Sequence, residues 1–155
     1  TLEIHYDGAS QARMQSWLGH SFLYKHQRKE SLGDRMTEAM RPHLQYSSGV
    51  LLIGSDCPDI NTAILQEALL SLTSHKVVLG PTHDGGYYLI GVSGHLPAWQ
   101  LQHLFEDIPW GTETVFKRTL DTIKRHHLNY HLVKKLHDID TPEDLRYIDY
   151  HPDTQ

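Results

Sequence analysis

The run Gly49-Val50-Leu51-Leu52-Ile53-Gly54-Ser55-Asp56-Cys57-Pro58-Asp59-Ile60 constrains this chain more than any other stretch. Consecutive aliphatic residues closed by a glycine predict a strand buried on both faces, the habit of a strand inside a parallel sheet. Such a strand delivers Asp56 to its carboxyl end, where open α/β sheets bind ligands. A carboxylate there suits a divalent cation on a phosphorylated substrate, because Mg²⁺ takes one or two carboxylates and leaves its other positions to water and phosphate oxygens. A turn aspartate that caps the next helix is the alternative reading of the same residues.

Helical and extended patterns alternate on both sides of this run. Leu2 to Tyr6 predicts a short strand ending at Asp7-Gly8, Ala9 to Leu18 a helix stopped by Gly19, and Phe22 to Tyr24 another strand before a charged loop. Leu32, Met36, Met40 and Leu44 recur every four residues behind a Ser31/Asp34 cap. After the central run, Asn61 or Thr62 caps a helix whose apolar face is Ile64, Leu65, Ala68, Leu69 and Leu72. Lys76 to Gly80 and Tyr87 to Val92 read as strands, and Trp99 to Phe105 as a short helix or loop. Thr112 caps a helix reaching about His127, with Val115, Phe116, Leu120 and Ile123 inward. Asn129 to Val133 is an alternating strand, and Thr141, Pro142 and Asp144 start a last helix. The alternation predicts a single α/β domain over 1–155, a mainly parallel sheet between helical layers.

Composition narrows the function classes. A chain of 155 residues can bury a core without staples, and the only cysteine, Cys57, has no partner, so a reducing, cytoplasmic setting is expected. Fourteen basic against 19 acidic side chains give a net charge of −5 with neutral histidines, and no basic stripe appears, which disfavours nucleic-acid binding. No apolar run approaches membrane-span length. The 13 histidines lack zinc-helix spacing and read as surface residues. Asp84-Gly85-Gly86 is chemically informative, since two glycines let a backbone approach a ligand and expose amide donors; a hairpin turn is the local alternative. Asp138 and Asp140, two apart on extended chain, project to one side.

Taken in order, these stretches resemble a known family. Gly54-Ser55-Asp56-Cys57-Pro58, Gly80-Pro81 with Asp84-Gly85-Gly86-Tyr87-Tyr88-Leu89-Ile90-Gly91, Ile108-Pro109-Trp110-Gly111-Thr112-Glu113-Thr114-Val115 and Asp138-Ile139-Asp140-Thr141-Pro142-Glu143-Asp144-Leu145 resemble the DUF2064 family of bacterial glycosyltransferase-like proteins. Ser31-Leu32-Gly33-Asp34-Arg35-Met36 looks like that family's Leu-Gly-x-Arg-Met helix start. The family is similar in fold to A-type glycosyltransferases and to cofactor guanylyltransferases. The resemblance implies a transferase that uses Mg²⁺ or Mn²⁺ and acts on a nucleotide sugar or a nucleoside triphosphate with a small acceptor. By position, Asp56 and Asp140 would share the metal, with Asp138 a further candidate on the same side. Gly54, Ser55, Gly85, Gly86, Tyr87, Trp110 and Thr112 would line the substrate, and Asp84 would orient or deprotonate an acceptor hydroxyl.

One departure stands out. Relatives open with a strand and a Lys-x-Pro-x-x-Gly-x-x-Lys-Thr-Arg-Leu type loop that wraps the nucleotide, and nothing in this sequence corresponds to that βα unit. The resemblance places that strand between Leu2–Tyr6 and Val50–Ile53, so open edges, weak donor binding and homo-oligomers are expected. A degenerate or non-catalytic nucleotide-binding module is the alternative. A haloacid-dehalogenase-type reading of Asp138-x-Asp140-Thr141 fails on position, since that fold needs the motif near its beginning. Cys57 as nucleophile lacks a histidine in any recognisable spacing.

Overall fold

A computed structural model describes residues 1–148. Its elements are β1 (Glu3–Tyr6), α1 (Gln11–Leu18), β2 (Leu23–His26), α2 (Leu32–Met40), β3 (Gly49–Ile53), α3 (Thr62–Ser71), β4 (Val77–Pro81), β5 (Tyr87–Ser93), α4 (Ala98–Phe105), α5 (Val115–Arg125) and β6 (Tyr130–Leu132). The domain expected over 1–155 is thus described up to Ile148, and 149–155 lie outside the described residues. Short polar side chains set the helix starts: Ser10, Ser31 and Asn61 accept hydrogen bonds from the amides of Arg13, Asp34 and Ile64. α2 stops at Met40 because Pro42 lacks the amide that would continue it; a 3₁₀ turn, Arg41–His43, takes over and still carries Leu44 into the core.

The main sheet has the order β3-β5-β4-β6. β5 pairs antiparallel with both β3 and β4, while β4 and β6 pair in parallel. Three strands therefore run one way and β5 alone runs against them, because it follows β4 through a turn too short for a crossover. Alternation along β4 and β5 builds a core on each face. Val77, Leu79, Ile90 and Val92 meet α2, α4 and α5 through Met36, Met40, Leu101, Leu104 and Ile123. Val78 and Leu89 meet α3 through Ile64, Ala68 and Leu72 on the other face. The result is the expected α/β fold with helices on both sides of a mainly one-directional sheet. No helix among the described residues is long and apolar enough to cross a membrane.

Several expectations need correction. β3 is not buried on both faces: Val50, Leu51 and Leu52 are half-buried and Ile53 is 41% exposed, because β3 is an edge strand with only β5 beside it. Leu69 faces solvent at 49% exposure, since α3 presents only a narrow stripe, Ile64 and Ala68, to the sheet. The second strand starts at Leu23 and runs through Lys25 into the stretch read as a loop. α5 begins three residues after Thr112, and the last helix is a 3₁₀ turn, Pro142–Tyr147, with the expected capping box between Thr141 and Asp144.

β1 and β2 form a separate parallel pair. Among the described residues no ladder joins β1 to β3, so each of these strands has one open edge. No residue of α1 is buried. Polar contacts tie the β1-α1-β2 unit to the rest: Glu3 Oε2 lies 3.3 Å from His43 Nε2, and Arg35 bridges to Asp7 at 3.2 Å.

Candidate functional site

Because β3, β4 and β6 point the same way, the loops that follow them emerge at one edge of the sheet, and each carries aspartate. The chain after β6 stays alongside the chain after β4. Val133 donates its amide to Leu79 O, Leu136 to Pro81 O, and His83 to Leu136 O, at 3.0 to 3.1 Å. A parallel bridge joins Thr82 to Leu136. Tyr88 assists from β5. Its ring lies over Gly80, where a Cβ would stand 2.5 Å from the ring carbon Cζ, and its hydroxyl donates to Lys134 O at 2.8 Å. The loop after β3 joins through Ile139 N, which donates to Asp56 O at 2.9 Å.

This pairing gathers Asp84, Asp138 and Asp140, each offering a carboxylate oxygen within 4.8 Å of the others. Asp84 and Asp140 are exposed and Asp138 is half-buried. Asp84 Oδ1 accepts from Gly86 N at 2.9 Å and from the Thr82 hydroxyl. Burial pushes the Asp84 carboxyl up, but these hydrogen bonds outweigh it and hold the group below the usual carboxylate range. Asp138 goes the other way: burial, then the charges of Asp84 and Asp140, raise it. A site with one carboxylate held ionised and its neighbour pushed toward the acid form is short of positive charge. Its all-oxygen, all-carboxylate donor set fits Mg²⁺ or Mn²⁺.

The other expected site residues fall in different places. Asp56 touches the cluster through its backbone, but its carboxylate turns back over Gly54, where a Cβ would lie 2.6 Å from Oδ1. It is not among the three gathered carboxylates. Gly54 donates its amide to Tyr88 O, and Ser55 is exposed beside Asp56. The Gly85 and Gly86 amides are not free donors, since Gly85 N bonds Thr82 O and Gly86 N bonds Asp84. Gly85 instead permits close packing: at φ +98, a Cβ would sit 2.0 Å from Glu113 O. Tyr87 is half-buried against the core, its hydroxyl buried near Thr119 and pushed well above the usual tyrosine range by burial. Trp110 packs at the core's edge, 6.4 Å from Tyr87 and Phe105 between ring centroids. It also borders a cavity of about 270 Å³ between α2 and α4. Thr112 bonds Pro109 O at 2.8 Å and shapes the approach to α5. Cys57 is buried, and burial followed by the Asp56, Asp138, Asp59 and Asp84 charges pushes its thiol up to about 12, which disables it as a nucleophile.

Sequence reasoning passed over two histidines. His83 and His137 stack with centroids 3.9 Å apart and planes 10° apart, and Tyr147 stacks on His137 at 3.9 Å and 7°. The signal was the dipeptide His-Asp, which occurs at 83–84 and again at 137–138.

Comparison with known proteins follows the same lines. No curated protein matches this chain. Among solved structures, the crystal structure of a "putative nucleotide-diphospho-sugar transferase" from Desulfovibrio desulfuricans G20 is similar with a TM-score of 0.81 and 31% sequence identity. The match covers 92% of this chain and 63% of that one, so the present chain spans less than two thirds of its neighbour. Residues 1–112 match the family model described as an uncharacterized protein conserved in bacteria, DUF2064. The motifs, the fold and this match agree, and the chain belongs to the DUF2064 family.

Proposed function

We propose that this chain acts as a cation-dependent transferase that moves a glycosyl group from a nucleotide-diphospho-sugar to a small acceptor. The observation that supports the reading most directly is the convergence of Asp84, Asp138 and Asp140 at the sheet edge where α/β folds bind ligands. Asp84, Asp138 and Asp140 would hold Mg²⁺ or Mn²⁺. Asp56, expected to share the metal with Asp140, lies beside this set, its backbone carbonyl accepting from Ile139 N. When bound, the ion supplies charge stabilisation to a departing diphosphate and orients it. The residues of this chain do the rest. Asp84, held below the usual carboxylate range, would anchor the ion, and Asp138, raised by burial and by the Asp84 and Asp140 charges, would be the ligand most favoured by its arrival. Asp84 is a poor acceptor base, because a carboxylate held below its usual range binds protons weakly.

Binding of Mn²⁺ followed by calorimetry tests the cation set. Asp140→Ala is expected to weaken binding at least about 10-fold, the ordinary consequence of losing one carboxylate from a hard-cation site. Release of nucleoside diphosphate from UDP-, GDP- and ADP-sugars in the presence of Mn²⁺ tests turnover. A nucleotide-binding module without turnover is the second reading, favoured by the internal use of the Gly85 and Gly86 amides, which leaves neither glycine amide free for a ligand. Tight Mn²⁺-dependent nucleotide binding with no diphosphate released would select it. A nucleoside triphosphate in place of the sugar donor would appear in the same assay as pyrophosphate release.

A further inference from the structure

A parallel bridge between Thr82 and Leu136, with the His83 amide donating to Leu136 O, brings residues 83–84 alongside 137–138. Asp84 and Asp138 each offer a carboxylate oxygen within 4.8 Å of the other, a contact that repels when both are ionised. His83 stacks on His137, and Tyr147 closes the pair into a column. Arg146 covers the far end, with Cζ 4.8 Å from the Tyr147 ring centroid and Nη2 donating to the Tyr147 hydroxyl at 2.8 Å. Tyr147 reaches this position because the Thr141/Asp144 capping box folds the 3₁₀ turn back over the strand end. Three flat rings from three separate segments thus meet, two of them within one residue of Asp84 and Asp138 along the chain.

We propose that the His83–His137–Tyr147 column is a clasp that positions Asp138 and Asp140 against Asp84. Stacked planar groups resist both the sliding and the separation that repulsion in the carboxylate cluster drives, so attraction within the column offsets repulsion between the neighbouring carboxylates. The three are positioning residues and touch neither substrate nor cation. The inference rests on the cation reading given above for its functional consequence, while the clasp itself is a statement about local structure.

The test uses His137→Ala and His137→Phe, the second of which keeps a flat ring and discards the imidazole nitrogens. Free Mn²⁺ measured by electron paramagnetic resonance should show affinity falling about 10-fold or more in His137→Ala, the usual cost of removing a supporting partner. His137→Phe should return to within about 3-fold of the parent, on the same scale. Amide hydrogen exchange without metal gives the second readout. The His83 and Ile139 amides, bonded to Leu136 O and Asp56 O, should exchange faster in His137→Ala and recover in His137→Phe. Unchanged exchange in His137→Ala would overturn the clasp. So would a His137→Phe variant as impaired as His137→Ala, because the imidazole rather than the stack would then matter. If the parent binds no Mn²⁺ while the exchange pattern holds, the cation reading fails and the clasp stands.

Discussion

Asp138 bears the cost of bringing three carboxylates together. Its acid form is favoured by the fold, with a folded value above the ordinary 3.8. Its contribution to stability is therefore present below that ordinary value and is lost as pH rises through the raised folded one. Asp84 has the opposite sign, contributing above the ordinary value and losing that contribution as pH falls through its lowered one. Asp138→Asn should remove the first effect. Melting followed between about pH 4 and 7 without metal should show a flatter slope than the parent. At the upper end of that range the variant should melt above the parent. A slope equal to the parent's would place the cost on another group. The carboxylates themselves were legible as Asp-Gly-Gly and Asp-x-Asp-Thr-Pro. The partnership of Asp84 with Asp138 was not, because it depends on pairing between segments some fifty residues apart. The burial of the Tyr87 hydroxyl was not legible either, because Tyr87 opens a strand and the packing of its side chain depends on the helix that carries Thr119.

At the level of elements, runs of aliphatic residues and helix caps located the strands and most helix starts to within a residue or two. What they could not reveal was position within the sheet: β3 reads as central from its composition and sits at an edge. The Asp84-Gly85-Gly86 turn shows the same limit, since the glycines serve the packing of β4–β5 against the start of α5. Two alanine substitutions separate backbone strain from that packing. Gly111 has φ +77 with open space around a Cβ, so Gly111→Ala should cost about 1 kcal/mol, the left-handed penalty alone. Gly85→Ala adds a clash with the Glu113 carbonyl and should cost at least ~3 kcal/mol in urea unfolding. Equal costs would mean that the α5 segment moves freely away from the turn.

At the scale of the whole molecule the strands fall into two separate sheets, and among the described residues β1 and β3 each have a neighbour on one side only. β3 is aliphatic and half-buried, the kind of edge that pairs with other chains. Light scattering at micromolar concentration should therefore give a mass above the 17.8 kDa of one chain. Ile53→Lys, which puts a charge at the exposed end of that edge, should bring the mass down toward a single chain. A monomeric parent would show that the edge is already protected. The same free edge makes the protein a receiver for an added strand. A short extended peptide that forms a ladder along β3 would lengthen the main sheet by one strand. Its binding would be read directly as a concentration-dependent rise in melting temperature, so the chain could serve as its own reporter in a screen for peptides that pair with it.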